Sequence, residues 1–280
     1  ADAGVMVTAS HNPAPDNGYK VYLGGTVAQG DGRGVQIVPP FDAEIAAAIE
    51  AAPPADEVPM SDDLVEAVDP REEYVACASA LASGEASVRE DLRIVLTAMH
   101  GVGAAITSRV LSEAGFSHVS LVAAQADPDP DFPTVPFPNP EEAGALDMAI
   151  EQAREQGADL IIAVDPDADR CALAVPDPTS ETGWRPLSGD QIGSLLGEFL
   201  ASRGMKGSLA NSIVSSRLLS RIARAHGLEH HTTLTGFKWI ARAPGLGFGY
   251  EEAIGFCPDP AHVRDKDGIA TSVVAASLVA

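Results

Sequence analysis

The stretch LIIAVDPDADRCALAV, residues 160–175, passes from an unbroken apolar run into three aspartates at alternate positions, then an arginine, then apolar residues again. Taken with its first aspartate, DLIIAVD (159–165) reads as a buried strand that ends at a proline turn, and CALAV (171–175) as a second strand leaving it. Working outward, similar short runs recur as GVMV (4–7), RIVLTA (93–98), SHVSLV (117–122) and SLANSIV (208–214). Between them, residues 101–115, 139–158, 189–204 and 215–227 carry helical patterns that close at or near glycine. Strands alternating with helices of ordinary length predict α/β layers.

Three segments interrupt the pattern: 51–63, the Pro/Asp-rich 125–142, and 176–186. Boundaries are expected near 75 and 183, giving units 1–75, 76–183 and 184–280, with 125–142 as a long loop inside the second. The first unit supplies one clear strand, a loop and up to two helices, too little to close a sheet. This reading expects the unit to pair with segments of a longer chain.

Composition narrows the partners. With 18 basic against 40 acidic residues the net charge is −22, which repels nucleic acid and anionic membranes. A small phosphorylated metabolite would be repelled too, unless local cations or a bound metal reverse the field in a cleft. The chain has four lysines for that purpose: Lys20, Lys206, Lys238 and Lys266. Three widely spaced cysteines form neither a disulfide framework nor a zinc motif. There is no apolar run long enough to span a bilayer and no basic-then-apolar N-terminus, so a cytoplasmic protein is expected.

The chemistry concentrates in two places. Asp165, Asp167 and Asp169, held on a tight turn by Pro166, can converge on one hard divalent cation, which removes the repulsion among them. The plainer alternative is a solvated acidic turn. A calcium loop of the EF-hand type starting at Asp165 needs glycine sixth and glutamate twelfth, but Arg170 and Pro176 stand there. An aspartyl-nucleophile phosphatase, with Asp165 attacking, resembles DxDx[TV] and remains open although Asp169 replaces the Thr or Val.

The second place is TASHNPAPDNGYKVY (8–22), where Ser10 follows a strand and precedes a turn. That is where α/β proteins place anion chemistry, while GxSxG and SxxK are absent. By itself the serine reads more readily as a turn residue than as a nucleophile. Together with the acidic turn it reads differently: a phosphoryl group on Ser10 would offer oxygens to a metal held by the aspartates, with Arg170 for the phosphate. His11 and Lys20 lie close in sequence to move a proton or neutralise charge.

These two stretches resemble the phosphoserine loop and the magnesium loop of the α-D-phosphohexomutases, the phosphoglucomutases and phosphomannomutases. GYEEAIGF (249–256) is similar to that family's sugar-recognition loop, TLTGFKWI (233–240) to the loop before it, and AMHGVG (98–103) to the start of the second domain's first helix. The resemblance implies consecutive three-layer α/β domains with mixed sheets. It implies that Ser10 carries the phosphoryl group and that Asp165, Asp167, Asp169 and the phosphoserine oxygen bind one Mg²⁺. Arg170 would contact phosphate, Lys20 would assist proton transfer, and Glu251 and Glu252 would bind sugar hydroxyls. His11, Lys238 and Arg217 complete the implied set. The implied substrate is a phosphorylated hexose, interconverted between its 1- and 6-phosphates through hexose 1,6-bisphosphate, which also acts as activator.

The sequence departs from the family pattern. Ala253 stands where many relatives have serine in GEESGH, and Phe256 stands near the histidine position, which favours glucose over mannose phosphates. Sequence upstream of the serine loop and a fourth domain with a loop like RxSGTEP are missing, so a non-catalytic fragment that only binds Mg²⁺ and a sugar phosphate is the alternative. GLGFG (245–249) lacks the spacing of a dinucleotide loop. His230 and His231 have no ligand spacing, and Trp239 and Phe237 read as core.

Overall fold

The computed structural model describes residues 1–280. At the N-terminus, β1 (Ala3–Val7) and β2 (Tyr19–Leu23) form an antiparallel ribbon, a second strand that the sequence reading did not separate from the loop. Every residue of β1 is exposed, whereas β2 turns Leu23 inward. The segment continues through α1 (Phe41–Ala51), whose residues are none of them fully buried.

The second sheet follows α2 (Arg71–Ser79) and α3 (Ala86–Asp91). β3 (Arg93–Thr97), α4 (Ala104–Glu113), β4 (His118–Leu121), α5 (Asp147–Gln156) and β5 (Leu160–Val164) form a parallel set, because each pair of strands is joined through a helix. β5 is buried at all five positions, as its Leu-Ile-Ile-Ala-Val sequence requires. β6 (Cys171–Pro176) then returns antiparallel and pairs with β7 (Trp184–Pro186), giving the order β4-β3-β5-β6-β7. The sheet thus runs past position 183, where a boundary was expected. The helix expected over 139–158 begins only at Asp147: Pro140 is buried, Asn139 caps the turn through Glu141 N, and Gly144 sits at φ 84°.

The third sheet begins after α6 (Gly189–Ser202), which is started by a reciprocal cap between Ser188 and Gln191. β8 (Ser208–Ser212), α7 (Leu218–Ala225), β9 (His230–Thr233), the single-turn α8 (Phe237–Ile240), β10 (Leu246–Glu251) and β11 (Gly255–Cys257) give the order β11-β10-β8-β9. Only β10 and β11 pair antiparallel, so this sheet is mixed as well.

The last helix, α9 (Gly268–Val279), is apolar on every side and buried almost throughout. It packs against α2, α4 and α6 and against strands of both larger sheets, so one continuous hydrophobic cluster runs through the second and third units. Its first turn is close-packed: a Cβ on Gly268 would lie 2.2 Å from the Arg170 carbonyl oxygen, which only glycine permits. No helix is long and apolar enough to cross a membrane.

Candidate active site

The turn after β5 places Asp165, Asp167 and Asp169 so that a carboxylate oxygen from each lies within 4.8 Å of the others. The chain achieves this reversal with Ala168 in the left-handed region at φ 57°. Two loops that meet this turn have the same feature, with Ser10 at φ 55° and Ile254 at φ 52°. Non-glycine residues held there cost about 1–2 kcal/mol each, and such costs gather where a loop must present a group in one orientation.

The N-terminal ribbon closes on this turn. Thr8 Oγ1 donates to Asp167 Oδ2 at 2.7 Å and accepts from Ser10 N at 2.8 Å. On the other side of Ser10, His11 Nδ1 stands 3.6 Å from Asp165 Oδ2, with its ring edge-on to Phe137 of the 125–142 loop. Lys20 Nζ reaches Asp169 Oδ2 at 2.6 Å and Asp167 Oδ2 at 3.3 Å. Ser10 is therefore bracketed by two neighbours that both meet the acidic turn.

From the third unit, Lys266 Nζ reaches the same Asp169 oxygen at 3.1 Å. Tyr22 OH in turn donates to Asp265 Oδ2 at 2.6 Å, which ties β2 to the Lys266 segment. Arg170 hydrogen-bonds the Ala253 carbonyl through Nη1 at 2.5 Å and lies 3.7 Å from Glu251 Oε1. It thus joins the acidic turn to the 251–254 loop. Of these, Tyr22, Asp169, Asp265 and Lys266, together with Asp167, line a cleft of about 390 Å³.

The electrostatics follow from burial. Loss of solvent pushes the Asp165 carboxyl up to about 6, and the Asp169 and Asp167 charges add to the rise. Burial would raise Asp169 too, but the Lys266 and Lys20 ammoniums outweigh it and hold its carboxyl below the ordinary range. Burial opposes the charge on Lys266, yet Asp169, Asp265 and Glu251 overcome that and raise it well above an ordinary lysine. Lys20 is raised in the same way, chiefly by Asp169 against its own burial. Both lysines are firmly ammonium ions at neutral pH.

The donor set fits a divalent cation. Asp165 Oδ2, Asp167 Oδ1 and Asp169 Oδ1 are all buried and accept no hydrogen bond, an expensive arrangement unless a cation collects them. His11 Nδ1 and Arg170 Nε are likewise buried without a hydrogen-bond partner beside the same turn, which suits an anionic ligand.

The other expected residues fall as follows. Glu251 is buried, its carboxyl raised by desolvation against the pull of Lys266 and Arg170. Glu252 turns to Ser212 and Ser215, each 2.8 Å from Oε2. Lys238 and Arg217 form no ion pair or side-chain hydrogen bond with the acidic turn: Lys238 lies in α8 and Arg217 is exposed at the start of α7. His230 is a structural residue bonded to Asn211, and Phe237 is core beneath Lys266. Sequence reasoning did not assign Thr8, Lys266, Ser212 or Ser215. Thr8 lay inside the quoted motif and Lys266 among only four lysines, and those were the available signals.

Comparison with known proteins agrees with this architecture. Three models of one family match in chain order: "Phosphoglucomutase/phosphomannomutase, alpha/beta/alpha domain I" over residues 1–55, domain II over 72–179 and domain III over 188–280. Among curated proteins, the chain is similar to the "Probable phosphomannomutase" of Haemophilus influenzae, 50% identical over 99% of this chain and 56% of that protein. It is similar to the "Phosphoribomutase" of Saccharomyces cerevisiae at 39% identity, covering 98% of this chain and 49% of that protein. The chain therefore spans about half the length of the curated relatives it matches. The crystal structure of a phosphoglucomutase/phosphomannomutase family protein from Burkholderia thailandensis superposes with a TM-score of 0.76 at 23% identity, over 99% of this chain and 56% of that one.

Proposed function

The chain belongs to the phosphoglucomutase/phosphomannomutase family, and from that premise we propose that it forms the catalytic part of a sugar-phosphate mutase with Ser10 as phosphoryl carrier. The observation that carries the reading is the bracketing of Ser10 by Thr8 and His11, both of which meet the acidic turn 165–169. The units 1–75, 76–183 and 184–280 each contribute a loop to one cleft in this reading.

Asp165, Asp167 and Asp169 would hold Mg²⁺, which when bound supplies positive charge against the transferring phosphoryl oxygens. The protein's own groups do the rest. In the forward half-reaction the phosphorus–Oγ bond of phosphoserine breaks and a bond to a free sugar hydroxyl forms; that hydroxyl loses its proton and Ser10 Oγ regains one. Lys20 would hand its proton to Ser10 Oγ and be reprotonated by the one that the sugar hydroxyl gives up. Arg170 faces phosphate charge, and Glu251 and Glu252 accept from sugar hydroxyls. The bisphosphate then turns, and the opposite phosphoryl group returns to Ser10.

The substrate is a phosphorylated sugar, with glucose 1- and 6-phosphates preferred on the Ala253 and Phe256 departures, and hexose 1,6-bisphosphate serving as activator. Lys238 and Arg217 belong to the distal part of the substrate site in this proposal. A cytoplasmic setting suits the three unpaired cysteines. In the complete gene product, phosphopeptide mass spectrometry finds the phosphoryl group on Ser10, and Ser10→Ala abolishes turnover. Activity retained by that variant overturns the proposal.

A further inference from the structure

Glu252 is fixed by an unusual clamp. The hydroxyls of Ser212, at the end of β8, and Ser215, in the loop that follows, both lie 2.8 Å from Oε2 and 2.8 Å from each other. Burial would raise the Glu252 carboxyl, but the Ser215 and Ser212 hydroxyls outweigh it and hold the group below its ordinary range. Two donors on one carboxylate oxygen select a rotamer as well as a charge state. No other side chain donates to the carboxylate, so Oε1 keeps its capacity for a ligand hydroxyl.

The clamp is itself anchored from below. Asp190 Oδ1 accepts from Ser216 N at 2.6 Å and from Tyr250 OH at 2.9 Å. Asn211 Nδ2 donates to the Ser216 carbonyl at 2.9 Å. Asn211 and Tyr250 are buried on adjacent strands, so the serine loop and the glutamate loop are both indexed to the sheet. The neighbouring Ala253 brings no hydroxyl of its own. A loop fastened this way serves orientation more than stability, because Glu252 is only partly buried and could ionise in water unaided.

We propose that Ser212 and Ser215 are positioning residues that hold Glu252 in the orientation that receives a hydroxyl of the sugar phosphate, and so set which sugar is accepted. This rests on the reading that Glu252 faces the sugar. Serine hydroxyls from the β8–α7 loop, outside the 249–256 segment, then act as part of the specificity apparatus.

The test uses the complete gene product with glucose 1-phosphate and ribose 1-phosphate as probes. Ser212→Ala/Ser215→Ala raises KM for the better substrate about tenfold, the loss of roughly one charge-assisted hydrogen bond, while kcat falls far less. Glu252→Gln raises KM comparably, and adding both serine changes to it raises KM no further, since the three residues act as one unit. Ser215→Thr keeps the hydroxyl and holds KM within about twofold of the parent. If the double serine variant does not fold, Ser215→Ala alone, at a partly exposed position, is expected to raise KM about threefold.

A KM raised by Glu252→Gln but untouched by the serine changes overturns the clamp and leaves Glu252 in place. Multiplicative effects in the triple variant place the serines' action elsewhere and also overturn it. An unchanged KM in Glu252→Gln removes the reading of Glu252, and the clamp's role with it.

Discussion

Lys266 Nζ lies 3.1 Å from Asp169 Oδ2, with both side chains more than nine-tenths buried. The pair joins the segment before α9 to the acidic turn, and Lys20 approaches the same oxygen from the N-terminal ribbon at 2.6 Å. One carboxylate thus receives an ammonium from each neighbouring unit.

Removing one of those ammoniums leaves buried charge uncompensated. Lys266→Met is expected to destabilise the cation-free protein by about 3 kcal/mol, because breaking a buried pair exposes the desolvation cost of the partner. Urea denaturation in chelator, compared with the parent, checks this.

Magnesium should stabilise the native state through the three partnerless oxygens. At a free concentration about 100 times its Kd, linkage gives about 2.7 kcal/mol, read as a rise in Tm. Asp165→Asn is expected to lose most of that response while still folding, and a Tm shift equal to the parent's would place the ion elsewhere.

The pH dependence of the Glu252 clamp has a definite sign. Its folded carboxyl titrates below the ordinary value of 4.5, so the unfolded chain binds more protons near that pH. The clamp's contribution is complete above the ordinary value and is lost as pH falls through the lower folded one. The stability difference between parent and Ser212→Ala/Ser215→Ala therefore shrinks on acidification, measurable by denaturation across that range.

Tyr74 OH donates to Asp267 Oδ1 at 2.7 Å, the same oxygen that caps α9 through Ala270 N. Tyr74→Phe removes one bond and leaves the cap, for an expected loss of about 1–2 kcal/mol. A much larger loss would show that α2 and α9 depend on this bond for their packing.

Thiol reactivity provides a check on the core. Burial pushes the Cys171 thiol up to about 12 and the Cys257 thiol well above its ordinary value, while Cys77 is partly exposed. A thiol reagent at mildly alkaline pH is expected to modify Cys77 first, with the other two reacting only on unfolding.

Much of this was legible in the sequence because its signals are local. The turn 165–170 declares itself through carboxylate spacing, and the neighbourhood of Ser10 through its place after a strand. Strand β5 reads directly from an apolar run. Lys266 and Ser212 were not legible as site residues, since nothing near them in sequence marks them; tertiary packing brings them to Asp169 and Glu252. The late start of α5 has a different cause. The periodicity of 139–158 is real, but Pro140 and the left-handed Gly144 outrank it over the first turns. β2 was hidden because Tyr19–Leu23 lies against a loop rich in turn residues, and its partners are an exposed strand and the irregular segment 34–37.

A two-stranded ribbon is barely stable alone in water, and β1 buries nothing to help it. The Ser10 loop therefore borrows rigidity from the acidic turn through Thr8, His11 and Lys20, while β2 is held by residues 34–37 and by Asp265. Any shift of the 165–169 turn is then handed to the serine loop by three side chains rather than by the backbone.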